Sequence, residues 1–129
     1  MSRILVALVA VVVLAWLGVM ERATRLQAQG VAATARHDFG GAESDFRAAR
    51  FLNPDTTADV QRAYVYALSS RTPQGAALLE DVVRREPENR SAWGVLEGIT
   101  RASEPATARR ARAALNRLDP LNARSPQGR

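Results

Sequence analysis

The sequence predicts an all-α protein: an N-terminal transmembrane helix followed by three helical hairpins stacked as a short α-solenoid. Three observations carry this expectation. Pro54, Pro87 and Pro120 stand 33 residues apart, in the segments FLNPD, RREPEN and RLDPLN, and a fixed period of this length marks a helical repeat array. Residues 4–20, ILVALVAVVVLAWLGVM, form 17 uncharged and almost wholly apolar positions. No segment alternates at period two, so no strand is expected.

At ~1.5 Å per residue the apolar run reaches ~26 Å, close to the ~30 Å hydrocarbon layer of a bilayer. Flanking Arg3 and Arg22 can snorkel, and Trp16 lies near one end at headgroup depth. A cleaved signal peptide is the competing reading. Its apolar region runs ~7–15 residues and ends at a small-residue cleavage site. Here the run is longer, and Met20-Glu21-Arg22-Ala23-Thr24-Arg25 offers no such site. The uncleaved anchor, residues 1–22, is therefore favoured, with the following domain outside the cytoplasm at the cell membrane. The charge comparison behind that orientation is nearly balanced, Arg3 and the α-amino group on one side against Arg22 and Arg25 on the other.

After the anchor no proline occurs before Pro54. The membrane helix is thus expected to run on, to about Arg36, as the first helix of the first hairpin. A turn at His37-Asp38 with Gly40-Gly41 leads to a second helix from about Gly41 to Leu52, with Ala42, Phe46 and Ala49 on its apolar stripe. Asn53-Pro54 ends it, because the residue before proline is pushed out of the α region. Thr56 caps the third helix, with Asp59 three residues on. Its expected stripe is Val60, Ala63, Tyr64, Ala67 and Leu68. Thr72-Pro73 starts the fourth helix, with threonine as cap, and Leu78, Leu79, Val82 and Val83 face inward. Asn89 or Ser91 caps the fifth, which carries Trp93, Leu96 and Ile99. Glu104-Pro105 begins the sixth, with Ala108, Ala111, Leu115 and Leu118 inward. The repeats run over about 23–55, 56–88 and 89–120, and a mobile tail is expected at 121–129.

Composition narrows the function classes. The chain has no Cys, which excludes disulfides, thiolate metal sites and a lipid-modified N-terminal cysteine. The net charge is +5, yet every basic residue is Arg. From Glu21 onward, 17 Arg face 13 acidic residues, well interspersed, which reads as a solvated mixed surface rather than a nucleic-acid footprint. The single His37 sits in a turn. No nucleophile elbow, phosphate loop or zinc-helix motif is present, so no enzyme, cofactor or metal is expected.

The first repeat carries Gly30, Ala42, Phe46, Ala49 and Pro54 at a spacing that resembles the tetratricopeptide repeat, whose pattern is W-x2-L-G-x2-Y, then A-x3-F, then P. Leu26 stands at the tryptophan position. Val60 with Ala63 and Trp93 with Leu96 hold the W-x2-L spacing of the second and third copies, which are more degenerate. Gly75 and Arg112 depart from A-x3-F, and Glu97 stands where glycine is usual. From the tryptophan position to the closing proline is 28 residues in the first copy and 27 in the others, as if one residue were lost from the turn inside each later hairpin. Tyr64 and Trp93 are read as core rather than ligand-facing.

The resemblance implies a groove lined by the first helix of each hairpin, which binds other proteins or peptides. Position by position it nominates Gln27, Val31, Gln61, Val65 and Arg101. Two other expectations stay open. One is nucleic-acid or anionic-lipid binding through Arg84-Arg85 and Arg109 to Arg112. The other is self-association as a homo-oligomer through the sixth helix, which has no capping helix beyond it and exposes Ala106, Ala113 and its arginines, unless those arginines serve only as a solvent face.

Overall fold

The structure, a computed structural model, describes the backbone of residues 2–120 and the side chains of residues 5–120. The expectations for the tail 121–129 and for the Arg3 side chain lie outside the described residues. Among those residues the chain is all-helical, without a strand: α1 (Ser2–Ala35), α2 (Phe39–Leu52), α3 (Thr57–Leu68), α4 (Thr72–Arg85), α5 (Arg90–Thr100) and α6 (Pro105–Leu118). The chain forms two compact units, Met1–Ala58 and Asp59–Arg129, and each is taken by itself.

In the first unit, α1 is unbroken over 34 residues, ~51 Å at 1.5 Å per residue. Its most apolar window has a mean hydropathy of 2.1 and none of it is buried. This one helix is long and apolar enough to cross a membrane. Its second half turns polar and packs against α2, so apolar rod and hairpin share a single helix, as the lack of an early proline predicts. The short turn at 36–38 sends α2 back antiparallel along α1. Gly30 sets the spacing: a Cβ there would lie 2.8 Å from Phe46 Cε1, and the Phe46 ring is 1 % exposed. Ala42 and Ala49 complete the buried stripe of α2.

The second unit holds a continuous apolar core from α3, α4, α5 and α6. Val60 and Ala63, Leu79 and Val82, Trp93 and Leu96, and Ala111 and Ala114 meet in it. Leu78, Ile99, Leu115 and Leu118 pack against its edge. The Trp93 indole N–H, which a core position must satisfy, donates to the Pro87 carbonyl at 2.8 Å. Ion pairs cross between helices around the core: Arg85 with Asp59 at 3.4 Å, Arg90 with Asp119 at 2.6 Å, and Arg110 with Glu80.

The closing prolines act as expected. Asn53, Glu86 and Asp119, each just before a proline, are extended in φ at −131°, −129° and −138°. Their N–H groups still bond Ala49, Val82 and Leu115, so each second helix ends in the same way. Asn89 caps α5 by accepting from the Ala92 N–H at 3.0 Å.

Several local expectations change. Thr72 is the first residue of α4 rather than its cap, and Arg71 holds the cap position without a side-chain bond. A proline is tolerated anywhere in a first turn, so the pair Thr72-Pro73 locates the start only to within a residue. The helix α2 begins at Phe39, with the Gly41 N–H donating to Asp38 at 3.0 Å, so Gly40 and Gly41 lie inside the helix. On α3, Tyr64 is 46 % exposed and Leu68 44 %, while Val65 is 1 % exposed. Val60 and Ala63 of the expected stripe are buried, so the stripe holds at its start, while Tyr64 and Leu68 fall outside it and Val65 is covered instead.

The shortening of the later repeats also lies elsewhere than in the turns. Each second helix starts fifteen residues before its closing proline, at Phe39, Thr72 and Pro105. Leu26 stands nine residues before the end of α1, Val60 eight before the end of α3 and Trp93 seven before the end of α5. The residues are lost from the ends of the first helices. The first two hairpins then close through the same turn. His37 and Ser70 both have φ 62°, and the next N–H donates to a carbonyl five residues back, Asp38 to Ala33 at 2.9 Å and Arg71 to Tyr66 at 2.7 Å. This is a Schellman ending with a non-glycine residue in the left-handed position.

Two substitutions test the close helix approaches, each read by thermal and denaturant unfolding of the detergent-solubilised chain. Gly30→Val should destabilise by about 2 kcal/mol, since overpacking costs about 1–3 kcal/mol and the helix-propensity gain over glycine is under about 1; adding Phe46→Leu should recover part of that loss. Gly75→Ala should destabilise although alanine is the better helix former. Its Cβ would lie 2.7 Å from the Ala63 carbonyl oxygen, a backbone atom that cannot swing away, and a net loss of about 1–2 kcal/mol is expected. An unchanged midpoint for Gly75→Ala would refute the close approach.

Candidate partner-binding surfaces

Of the five nominated positions, Gln27 and Val31 lie on α1 in the first unit, one helical turn apart. Gln27 is half-buried and Val31 exposed. In the second unit, Gln61 on α3 is exposed, but Val65, one turn on, is buried and offers no surface to a partner. Arg101 follows the last turn of α5 and is exposed. The structure therefore leaves four of the five side chains with accessible surface.

Arg101 stands in a cluster that spacing alone does not assemble. Glu97 on α5 is 9 % exposed. Its Oε1 accepts from Arg101 Nε at 3.2 Å and from Arg112 Nη2, on α6, at 2.9 Å, and its Oε2 accepts from Arg101 Nη2 at 2.7 Å. One carboxylate thus ties the two helices of the last hairpin. The Arg101 hydrogen bonds, opposed by burial and reinforced by Arg112, hold the Glu97 carboxyl below its ordinary range. The carboxylate in turn raises the Arg101 guanidinium. The i, i+4 spacing of Glu97 and Arg101 was readable as a helix-face pair. Arg112, fifteen residues on, depends on how α6 folds back.

Beside this cluster lies an open groove of about 450 Å³, lined by Arg101, Pro105, Ala108, Arg109 and Arg112 as well as Glu97. Its short apolar floor, Pro105 and Ala108, is rimmed by arginines. The Arg101 and Arg112 side chains remain 66 % and 54 % exposed, so their outer edges can still meet an anionic group borne on an apolar stem, such as an acidic side chain of a peptide.

Elsewhere the arginine clusters are engaged within the fold. Arg84 pairs with Asp81 at 3.2 Å, Arg85 with Asp81 at 2.9 Å and Asp59 at 3.4 Å, and Arg110 with Glu80. A phosphate must compete with these carboxylates. On α6, Ala106, Ala113 and Arg109 are exposed. His37 is an exposed turn residue whose ring meets Phe39 edge-on, with centroids 5.9 Å apart. Among the described residues no group of three or more acidic or histidine side chains is placed to hold a metal ion.

No family model matches the chain, and no curated protein matches it.

The Glu97 cluster predicts an acid-sensitive last hairpin. A depressed carboxyl contributes stability above its unfolded pKa of about 4.3, and that contribution is lost as pH falls through the lower folded value. Glu97→Gln should cost about 1.5 kcal/mol at neutral pH, the low end of the scale for hydrogen bonds to charged groups because both arginines remain largely exposed. It should also flatten the fall in melting temperature below about pH 4.5. Parallel acid titrations of wild type and Glu97→Gln, followed by circular dichroism, measure both effects.

Proposed function

We propose that this protein is a single-pass, membrane-anchored adaptor of the tetratricopeptide type, holding helical-hairpin repeats at the cell envelope to bind other proteins or peptides. The single observation that carries the reading is α1. Its exposed apolar half has the length and hydropathy of a membrane span, and the same helix continues without a joint into a packed hairpin. A helical body mounted on such a span is confined to the membrane plane, which raises its effective concentration towards membrane partners.

The repeat spacing and the uniform proline-closed second helices support the tetratricopeptide assignment. The open, arginine-rimmed groove at Arg101 supports a peptide carrying acidic side chains, with Gln61 as a further candidate contact in the same unit, and Gln27 and Val31 are separate candidate contacts in the first unit. We place the repeats outside the cytoplasm, following the short N-terminal tail.

The full-length chain should stay with the membrane pellet through high-salt and alkaline carbonate washes and leave it only with detergent; release by salt alone would overturn the anchor. In intact cells, added protease should cleave the repeats. A photoreactive residue placed at Gln61 or Arg101 should give a discrete protein adduct that resists nuclease. Binding through a groove should weaken only mildly with salt, whereas a phosphate-directed interaction would fall steeply.

A further inference from the structure

Phe51 is 89 % exposed, the most exposed of the large apolar side chains beyond the apolar half of α1. A single exposed apolar side chain is ordinary, but one that joins others in a contiguous patch beside a span points to an interaction. The neighbours of Phe51 supply such a patch. Phe51 lines an open groove of about 620 Å³ with Arg22, Leu26, Ala48 and Leu52. These residues come from the C-terminal end of α2 and from the part of α1 that directly follows the apolar run.

The antiparallel pairing fixes the height of this groove along α1. Phe46 sits opposite Gly30, and Phe51, five residues further along α2, falls level with about Ala23 to Arg25. That is ~6 Å beyond Met20, where the apolar run ends. A bilayer of ~40–45 Å total thickness around a ~30 Å core carries a headgroup layer of ~5–8 Å on each side. With the apolar run in the core, the returning end of α2 lies in that layer.

From this height we infer that the α2 end, through Phe51 and Leu52 with Arg22, is a second membrane contact that inserts into the phospholipid headgroup region beside the span. The inference rests on the membrane-anchor reading above. The occupant is the same bilayer that receives α1, because the groove is continuous with the spanning helix. The chemistry fits that layer: an apolar phenyl ring with a leucine beside it can bury at the boundary between acyl chains and headgroups, and a guanidinium at the core edge meets lipid phosphate. The hairpin would then be held to the bilayer at two points and rest against its surface.

The chain has no cysteine of its own, so single cysteines can carry a nitroxide label without further changes. The full-length protein is reconstituted in phosphatidylcholine–phosphatidylglycerol vesicles with a label at Leu52→Cys, level with about Thr24 on α1 and so within the headgroup layer, which leaves Phe51 in place. Reference labels are set at Val12→Cys, in the apolar run, and at Arg36→Cys, at the far end of α1. Accessibility to oxygen, which favours lipid, and to a nickel chelate, which favours water, is measured at each.

A several-fold higher oxygen-to-nickel ratio at Leu52→Cys than at Arg36→Cys, reduced by adding Phe51→Asp and kept by adding Phe51→Leu, is the expected result. A label at Leu52→Cys as water-exposed as at Arg36→Cys, while Val12→Cys reads as lipid, overturns the second contact and leaves the anchor standing. Water exposure at Val12→Cys overturns both.

Discussion

Close helix approach inside the first two hairpins is the constraint on which the rest of this structure depends. A helical hairpin has a thin apolar stripe, and two helices bury it only if their axes come near enough for small residues to touch. In the first unit a glycine on α1 makes room for the Phe46 ring. In the second, a glycine on α4 lies against the Ala63 carbonyl of α3. The roles are reversed between the two, yet the outcome is the same. Most of the buried apolar positions are alanine and valine rather than leucine or phenylalanine, so side-chain bulk contributes little and proximity contributes most.

Charge supplies what such a lean core lacks. All basic residues are arginine, and in the second unit several reach a carboxylate on another helix: α4 to α3, α6 to α4, α6 to α5, and the start of α5 to the end of α6. Exposed pairs of this kind are individually weak. Glu97 differs because it is buried and receives two guanidinia at once, so it is the pair whose loss would be felt. The same choice of arginine keeps the outer edges of these side chains available for an anionic partner, since a fork of five donors is not exhausted by one carboxylate.

Much of the fold could be read from residue order. Prolines at a fixed interval located the ends of three helices, and the unbroken stretch before Pro54 foretold that the apolar helix runs on into the first hairpin. What escaped notice depended on which edge of a broad stripe is covered and on backbone geometry. Tyr64 and Val65 lie ~100° apart on one helix, and an apolar pattern does not separate a ring from a valine when both fit a broad stripe. His37 and Ser70 adopt a left-handed turn that sequence associates with glycine, so the shared hairpin closure was invisible. Gly75 looked like a departure from a repeat pattern; the Ala63 carbonyl shows why a side chain would not fit. At the candidate site, Arg101 was found by position, but the Glu97 junction needed α6 to fold back before Arg112 could be counted.

The lack of any joint in α1 has a mechanical consequence. Helices transmit rotation along their length, bending only gently. From the end of the apolar run at Met20 to the turn at Arg36 is sixteen residues, a lever of ~24 Å. With the apolar half in a bilayer, as proposed, a ~10° change in its lean, of the kind that accompanies a change in bilayer thickness, sweeps the far turn through ~4 Å. In the anchored reading proposed above, the posture of the first hairpin follows the tilt of the span.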